Sequence, residues 1–242
     1  MEQGGNIGST AEIASLIGWW QDAGVDILVD EEPRDWLARV DRASVPATPA
    51  PATENPRAAP GFPQTLPAFQ SWLAESEKIA LPRAARVGPS GDPSSGLMIL
   101  VDLPEPDDAA SGRLLSGPAG ELFDKMIAAM GRSRESLYLA AMAPGRPAGG
   151  YVDKAAAALF GELARHHVAL ARPRALLLMG EQPARSFLGM GFVEARGRAH
   201  DVALAGGAVP AIATFHPRTL LQHPEQKKRA WDDLQLLMKI LG

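Results

Sequence analysis

Three short stretches of this chain hold side chains that could take part in chemistry. The most distinctive is Thr214-Phe215-His216-Pro217-Arg218. Pro217 keeps the residue before it out of the α region, which fixes the direction of His216. An imidazole held that way can donate a hydrogen bond to a developing anion, and Arg218 beside it can reach a phosphate. A lone histidine is equally at home as a structural residue. The second stretch, Asp102-Leu103-Pro104-Glu105-Pro106-Asp107-Asp108, carries four carboxylates in seven residues. Its first, Asp102, can orient a water molecule or act as a general base; the whole run also reads as a solvated acidic turn. The third, Gly112 to Gly120, is a glycine-spaced loop entering a helix. Its amides can hold an anion or a carbonyl oxygen; a tight turn with Pro118 at an early helical position is the plainer reading.

These stretches follow elements that the apolar pattern predicts. Leu97–Val101, Leu137–Ala140, Ala175–Met179 and Val209–Ala213 are continuous apolar runs of strand length, as strands buried on both faces require. Helical periodicity lies between them: Pro118 to Met130, Val152 to Leu170, Gln182 to Leu188 and Glu225 to Leu241. Alternating strands and helices predict an α/β fold, a three-layer α/β/α sandwich with a central, mainly parallel four-stranded sheet. Such sheets bind ligands beyond the carboxyl ends of their strands. That rule selects Asp102, Ala141 to Arg146, Gly180 to Gln182, and Thr214 to Arg218. His166, His167 and His200 fall elsewhere and read as surface or packing residues.

The rest of the chain reads as an appendage. Residues 1–44 are expected to form a helical extension, with a helix from Ser9 to Ala23 capped by Ser9 or Thr10 and ended by Gly24. Residues 45–65 are rich in Pro, Ala and Thr and read as an extended linker. A helix from Leu66 to Lys78 leads into the main domain, 66–242. Residues 1–75 carry 4 Lys/Arg and 11 Asp/Glu, a net −7, whereas residues 76–242 carry 20 and 17, a net +3. The main domain permits phosphate contact, and the acidic extension suits a protein partner held through residues 1–45. The 242 residues include no cysteine, so thiolate ligands and disulfides are excluded. No His-x-x-x-His or EF-hand spacing suggests a metal, and no cofactor is expected. No run of eighteen apolar residues suggests a membrane span, and the first residues lack the basic start and apolar stretch of a secretory leader. A cytoplasmic monomer is the expectation.

The motifs also carry a resemblance. Residues 101–123, VDLPEPDDAASGRLLSGPAGELF, align without a gap to the loop Gly-Glu-Ala-Pro-Gly-x-x-Glu-Asp-x-x-Gly-x-Pro-Phe-Val-Gly-x-Ala-Gly-x-Leu-Leu of the family 4, iron–sulfur type uracil-DNA glycosylases. Pro104, Gly112, Gly117, Ala119, Gly120 and Leu122 match. Arg146, Pro147 and Gly149 match a Lys-Cys-Arg-Pro-Pro-Gly segment. Arg172-Pro173-Arg174 through Ala184 is similar to a third motif, and His216-Pro217-Arg218-Thr219-Leu220-Leu221 resembles a closing His-Pro-Ser-x-Leu-Leu. Residues 9–37 resemble the N-terminal extension of some bacterial members.

The resemblance implies roles and marks departures. It implies a base-excision-repair hydrolase that flips a base from DNA, with Asp102 and His216 catalytic. Leu115, Gly117, Ala141 and Pro104 would surround the base, and Arg146, Arg218 and Thr219 would contact DNA. Asp102 replaces the family's Glu, Leu115 its stacking Phe, and Ala141 its base-reading Asn. The last change removes the main discrimination of uracil from cytosine, because a site that loses a hydrogen-bonding group loses selectivity. The four cluster cysteines would fall near Ser76 and Ile79, at Gly145 and at Leu159, so no iron–sulfur cluster is expected. Two functions are implied: excision of uracil or another, larger damaged base, or a catalytically impaired relative serving as a DNA- or protein-binding module.

Overall fold

A computed structural model describes residues 61–204 and 206–242. The expected Ser9–Ala23 helix, the 1–44 extension and all but the end of the 45–65 linker lie outside the described residues.

The central layer is a sheet of six strands. They are β1 (Ser90–Gly91), β2 (Leu97–Val101), β3 (Tyr138–Ala141), β4 (Ala175–Met179), β5 (Ala199–Leu204) and β6 (Gly207–Thr214). Their order is β1-β3-β2-β4-β6-β5. The inner four are parallel, and β1 and β5 pair antiparallel at the edges. The sheet therefore has two strands more than the apolar runs predict. β1 is only two residues long, and β5 buries only Val202 of its six residues. Neither forms an apolar run, because an edge strand need not bury both faces. Pro210 lies in β6, but the parallel ladder to β4 begins at Ala211. Its missing N–H therefore removes no bond from that ladder.

Helices cover both faces. They are α1 (Leu66–Glu75), α2 (Asp108–Ser111), α3 (Gly117–Ala129), α4 (Lys154–Ala171), α5 (Glu181–Leu188), α6 (Phe192–Ala195), α7 (Pro217–Gln222) and α8 (Lys227–Leu241). The pleat sends alternate side chains to opposite layers. Leu97, Ile99 and Val101 of β2 join Phe123 and Ile127 of α3 and Leu234 and Leu237 of α8. Met98 and Leu100 join Phe69 of α1 and Phe160 and Leu163 of α4. β2 and β4 are buried at every position, as strands between two helical layers must be. The result is the three-layer α/β/α sandwich.

α1 ends at Glu75, three residues before the expected Lys78. Ser76 leaves the helix with φ −61° and ψ 134°, and its Oγ accepts the Lys78 N–H at 3.2 Å. A serine side chain that bonds nearby backbone competes with helix continuation. Among the described residues, no helix is long and apolar enough to cross a membrane.

Candidate active site

The carboxyl ends of β2, β3 and β6 meet at one edge of the sheet. Val101 is paired with Ala141, and the Met142 and Ala143 amides donate to the carbonyls of Val101 and Asp102 at 2.8 and 3.1 Å. The loops leaving β2 and β3 thus start side by side.

The β2–α3 loop folds around one carboxylate. Asp108, with no exposed surface, accepts from the amides of Glu105 (2.7 Å), Leu115 (2.9 Å) and Ser116 (2.7 Å) and from the Ser116 hydroxyl (2.5 Å). Four donors saturate an ionised carboxylate, so the loop closes on a fully used acceptor. Arg134 clamps the other side, donating to the carbonyls of Leu114 and Leu115 at 2.7 and 2.8 Å. Leu115 adopts φ +53°, a left-handed conformation unfavourable for a branched residue. A β-carbon at Gly120 would stand 1.8 Å from the Leu115 carbonyl. Only glycine lets α3 approach the loop so closely.

His216 is the N-cap of α7. Its Nδ1 accepts the Arg218 amide N–H at 3.1 Å, which assigns the proton of the neutral ring to Nε2. Behind it, the Arg196 guanidinium lies 3.9 Å from the Phe215 ring centroid. The same guanidinium is held by buried Asp233 at 2.7 and 2.9 Å. The end of β6 is thus braced from α8.

His216 is 2% exposed. Its Nε2 lies 3.8 Å from both Asp102 Oδ1 and Glu105 Oε1. Burial is the main cause that pushes its pKa down to about 4; Arg218 and Arg146 also lower it, while Asp102 and Asp108 oppose. At neutral pH the ring is uncharged, so these contacts are not ion pairs. Three buried side-chain atoms have no hydrogen-bond partner among the described residues: Asp102 Oδ1, His216 Nε2 and Thr214 Oγ1. Asp102 Oδ1 and His216 Nε2 face each other at 3.8 Å, whereas the Thr214 hydroxyl lies toward Asp233. Buried polar atoms are nearly always paired, so the facing Asp102 and His216 atoms mark a place where a ligand supplies what the protein omits.

Arg218 spans the pair of acids. Nη1 donates to Glu105 Oε1 at 2.7 Å and Nη2 to Asp102 Oδ2 at 3.1 Å. Its side chain is 33% exposed. Burial pushes the Glu105 carboxyl above its ordinary range, with Asp102 and Asp108 adding to the rise; Arg218 and Arg146 act against it.

Of the residues expected at the site, Asp102, His216 and Arg218 come together. Arg218, expected to contact DNA, has its guanidinium on the two carboxylates. Pro104 is buried beside them, and its carbonyl accepts from Arg146 Nη1 at 3.0 Å. Arg146, Pro104 and Glu105 line a cleft of about 290 Å³ with Ala109 and Gly149. Ala141 ends β3, half-buried, and offers no polar atom. Thr219 is half-buried in the first turn of α7, and Gly117 is exposed at the start of α3. Leu115 was expected against the base but packs into the core with Val101 and Phe123, 1% exposed. Glu105 and Asp108 were not singled out by sequence; the only signal was the density of carboxylates in their loop.

Comparison with known proteins gives this arrangement its family. A model of the uracil DNA glycosylase superfamily matches residues 89–235, and the chain belongs to that superfamily. The Type-4 uracil-DNA glycosylase of Archaeoglobus fulgidus is 22% identical over 164 residues, which are 63% of this chain and 80% of the relative. The chain is thus a uracil-DNA glycosylase-like protein near the family 4 branch.

The iron–sulfur cluster implied by that branch does not fit the residues present. None of the four ligand positions carries a thiolate. Ile79 is buried in the core and Leu159 packs against it. At Gly145 a β-carbon would stand 2.6 Å from the Ala85 carbonyl, leaving no room for any side chain. Instead, the Arg86 guanidinium makes five hydrogen bonds of 2.8–3.3 Å to the carbonyls of Leu73, Ala74, Ile79 and Leu81. Its backbone bridges to Gly145. Among the described residues, no cluster of three or more His, Asp or Glu could hold a metal ion.

Proposed function

We propose that this protein is a monofunctional DNA glycosylase that hydrolyses the N-glycosidic bond of uracil or another damaged base. The observation that carries this reading is the buried, neutral His216, whose Nε2–H has no partner and faces Asp102. The base would be flipped from the duplex to the ends of β2, β3 and β6. A water oxygen bonds to C1′ as the C1′–N bond breaks, and the bonding pair leaves with the base. His216 Nε2–H donates to the base oxygen on which that charge collects. A preorganised donor of this kind, in a dry site, contributes about 10²–10³-fold in rate. Asp102 orients the water and takes its proton, and its charge favours the electron-poor sugar carbon. Arg146, Arg218 and Thr219 sit at the rim to meet the DNA backbone, on a stretch, residues 76–242, of net +3. Arg218 Nη2 would exchange Asp102 for a phosphate as the base enters, with Nη1 kept on Glu105. Residues 1–44, joined through the linker at 45–65, would bind a protein partner.

Two observations favour a second reading. Arg218 holds both carboxylates that face His216 Nε2, and Ala141 offers no hydrogen bond to a base, as in a relative that binds DNA or a partner without chemistry. Base release from oligonucleotides carrying uracil, hypoxanthine or xanthine, with an abasic control, separates the two. We expect release by the wild type, reduced about 10²–10³-fold in His216→Ala and comparably in Asp102→Asn. Absence of release on every substrate leaves the binding module, and release indifferent to both changes overturns the chemistry assigned to His216 and Asp102.

A further inference from the structure

We infer that Glu105 is the base-reading residue of this site and that it selects bases presenting an N–H beside a carbonyl, the edge shared by uracil and hypoxanthine. The inference rests on the glycosylase reading for where the base sits, and on this chain's own geometry for the rest. Ala141 has no polar side-chain atom. Glu105 brings a carboxyl group, 9% exposed at the side chain, to within 3.8 Å of His216 Nε2. A group that accepts the Nε2–H lies within reach of that carboxyl. His216 is itself almost wholly buried with Nε2 unpartnered, so the acids do not stand alone as evidence of a site. By the alignment above, Glu105 stands at a family glycine and Arg218 at a family serine. The two departures pair with each other at 2.7 Å across 113 positions of sequence.

The order of donors follows from the neighbours. Oε1 is the oxygen that faces both the Arg218 N–H and His216 Nε2–H. It therefore remains the acceptor, and a proton on the carboxyl belongs on Oε2. A protonated glutamic acid presents one acceptor and one donor side by side, the same pair as a carboxamide. Along a uracil edge, His216 Nε2–H meets the first carbonyl, Oε1 accepts the ring N–H, and Oε2–H donates to the second carbonyl. A cytosine edge opposes Oε1 with a ring nitrogen lone pair and Oε2–H with an amino group. Mismatched and unpaired polar groups in a buried site are strongly penalised.

Burial raises the proton affinity of Glu105 above that of an ordinary carboxylate. Asp102, Asp108, Arg146, Arg218 and His216 are the charged or titratable groups around Glu105, and burial outweighs the arginines in setting its proton affinity. Arg218 Nη1 stays on Oε1 as the base enters, which keeps the proton on Oε2, while Nη2 turns from Asp102 to a phosphate.

The test uses full-length protein and duplexes bearing 2′-fluoroarabino-uridine or 2′-fluoroarabino-cytidine, which resist cleavage, together with ordinary uracil and cytosine duplexes. Wild type is expected to bind the uracil analogue at least tenfold more tightly than the cytosine analogue. The preference falls as pH rises through the Glu105 titration. Glu105→Gln, a permanent carboxamide, keeps the preference and makes it independent of pH; Glu105→Ala reduces it below threefold. Equal binding of both analogues by wild type, a preference kept by Glu105→Ala, or its loss in Glu105→Gln overturns the inference. Uracil release with a preference indifferent to Glu105→Ala sinks Glu105 and spares the glycosylase. A Glu105-dependent preference without release spares Glu105 and sinks the chemistry.

Discussion

Two arginines occupy comparable places at this end of the fold and are used in opposite ways. Arg86 spends five hydrogen bonds on four backbone carbonyls. Arg218 spends its side-chain bonds on two carboxylates, with a third of its side chain exposed. Carbonyls fixed by the chain cannot leave, and nothing in solvent replaces a five-point fit, so Arg86 is a structural knot. Carboxylates can be protonated, and a phosphate competes for the same guanidinium with equal or better geometry. A guanidinium bound to backbone is part of the scaffold, whereas one bound to acids at a site's mouth is exchangeable.

The sharpest way to break that comparison is Arg86→Ala. It orphans carbonyls of Leu73, Ala74, Ile79 and Leu81 at a junction that also carries the bridge to Gly145. We expect a loss of about 2–4 kcal/mol, from several bonds to a charged donor, read by denaturant unfolding. Arg86→Lys should recover only part of it, because an ammonium cannot reproduce the planar fork. A loss under about 0.5 kcal/mol would remove Arg86 from the scaffold.

The contrast also explains what the sequence reveals and what it hides. β2 and β4 are legible to the residue, because strands between two helical layers must be apolar throughout. β5 is not, since one buried valine in six residues leaves no run. Asp102 and His216 are legible because they follow strands at the ligand-binding edge, and Pro217 fixes the second. Glu105 is not, since its burial depends on an arginine far along the chain. Arg86 is the hardest to read, as its partners are backbone carbonyls, which any sequence supplies. Leu115 shows the limit of reading a position by analogy: its left-handed turn drives the side chain into the core.

Acidity separates the two regions next. His216 and His167 are both buried neutral with pKa values of about 4. Their contribution to stability is complete above the unfolded value near 6.5 and is lost as pH falls toward 4. The slope approaches ~1.4 kcal/mol per pH unit for each group. Glu105, raised by burial, has the opposite sign: its contribution is present below the unfolded value and lost as pH rises through the folded one. His216→Asn together with His167→Asn should flatten the fall in stability between pH 6.5 and 4. The effect of Arg86→Ala should stay constant over that range, because carbonyl partners do not titrate. A pH-dependent Arg86→Ala penalty would place an acid in the knot.

The smallest expected change in stability is at Arg218. A partly exposed ion pair contributes about 0–1 kcal/mol, and water can hydrate both carboxylates when the guanidinium is gone. Arg218→Ala should therefore unfold within about 1 kcal/mol of wild type. Its effect belongs to access. With Arg218 in place, His216 Nε2 is buried and should react with diethyl pyrocarbonate far more slowly than His223, whose side chain is 60% exposed. In Arg218→Ala the two rates should converge, and a short DNA duplex added to wild type should accelerate His216 only if phosphate draws Arg218 outward. Acceleration by DNA would make Arg218 an exchangeable cover over a competent site. An unchanged rate in both the variant and the DNA complex would mean that other groups seal His216, and Arg218 would then be as structural as Arg86.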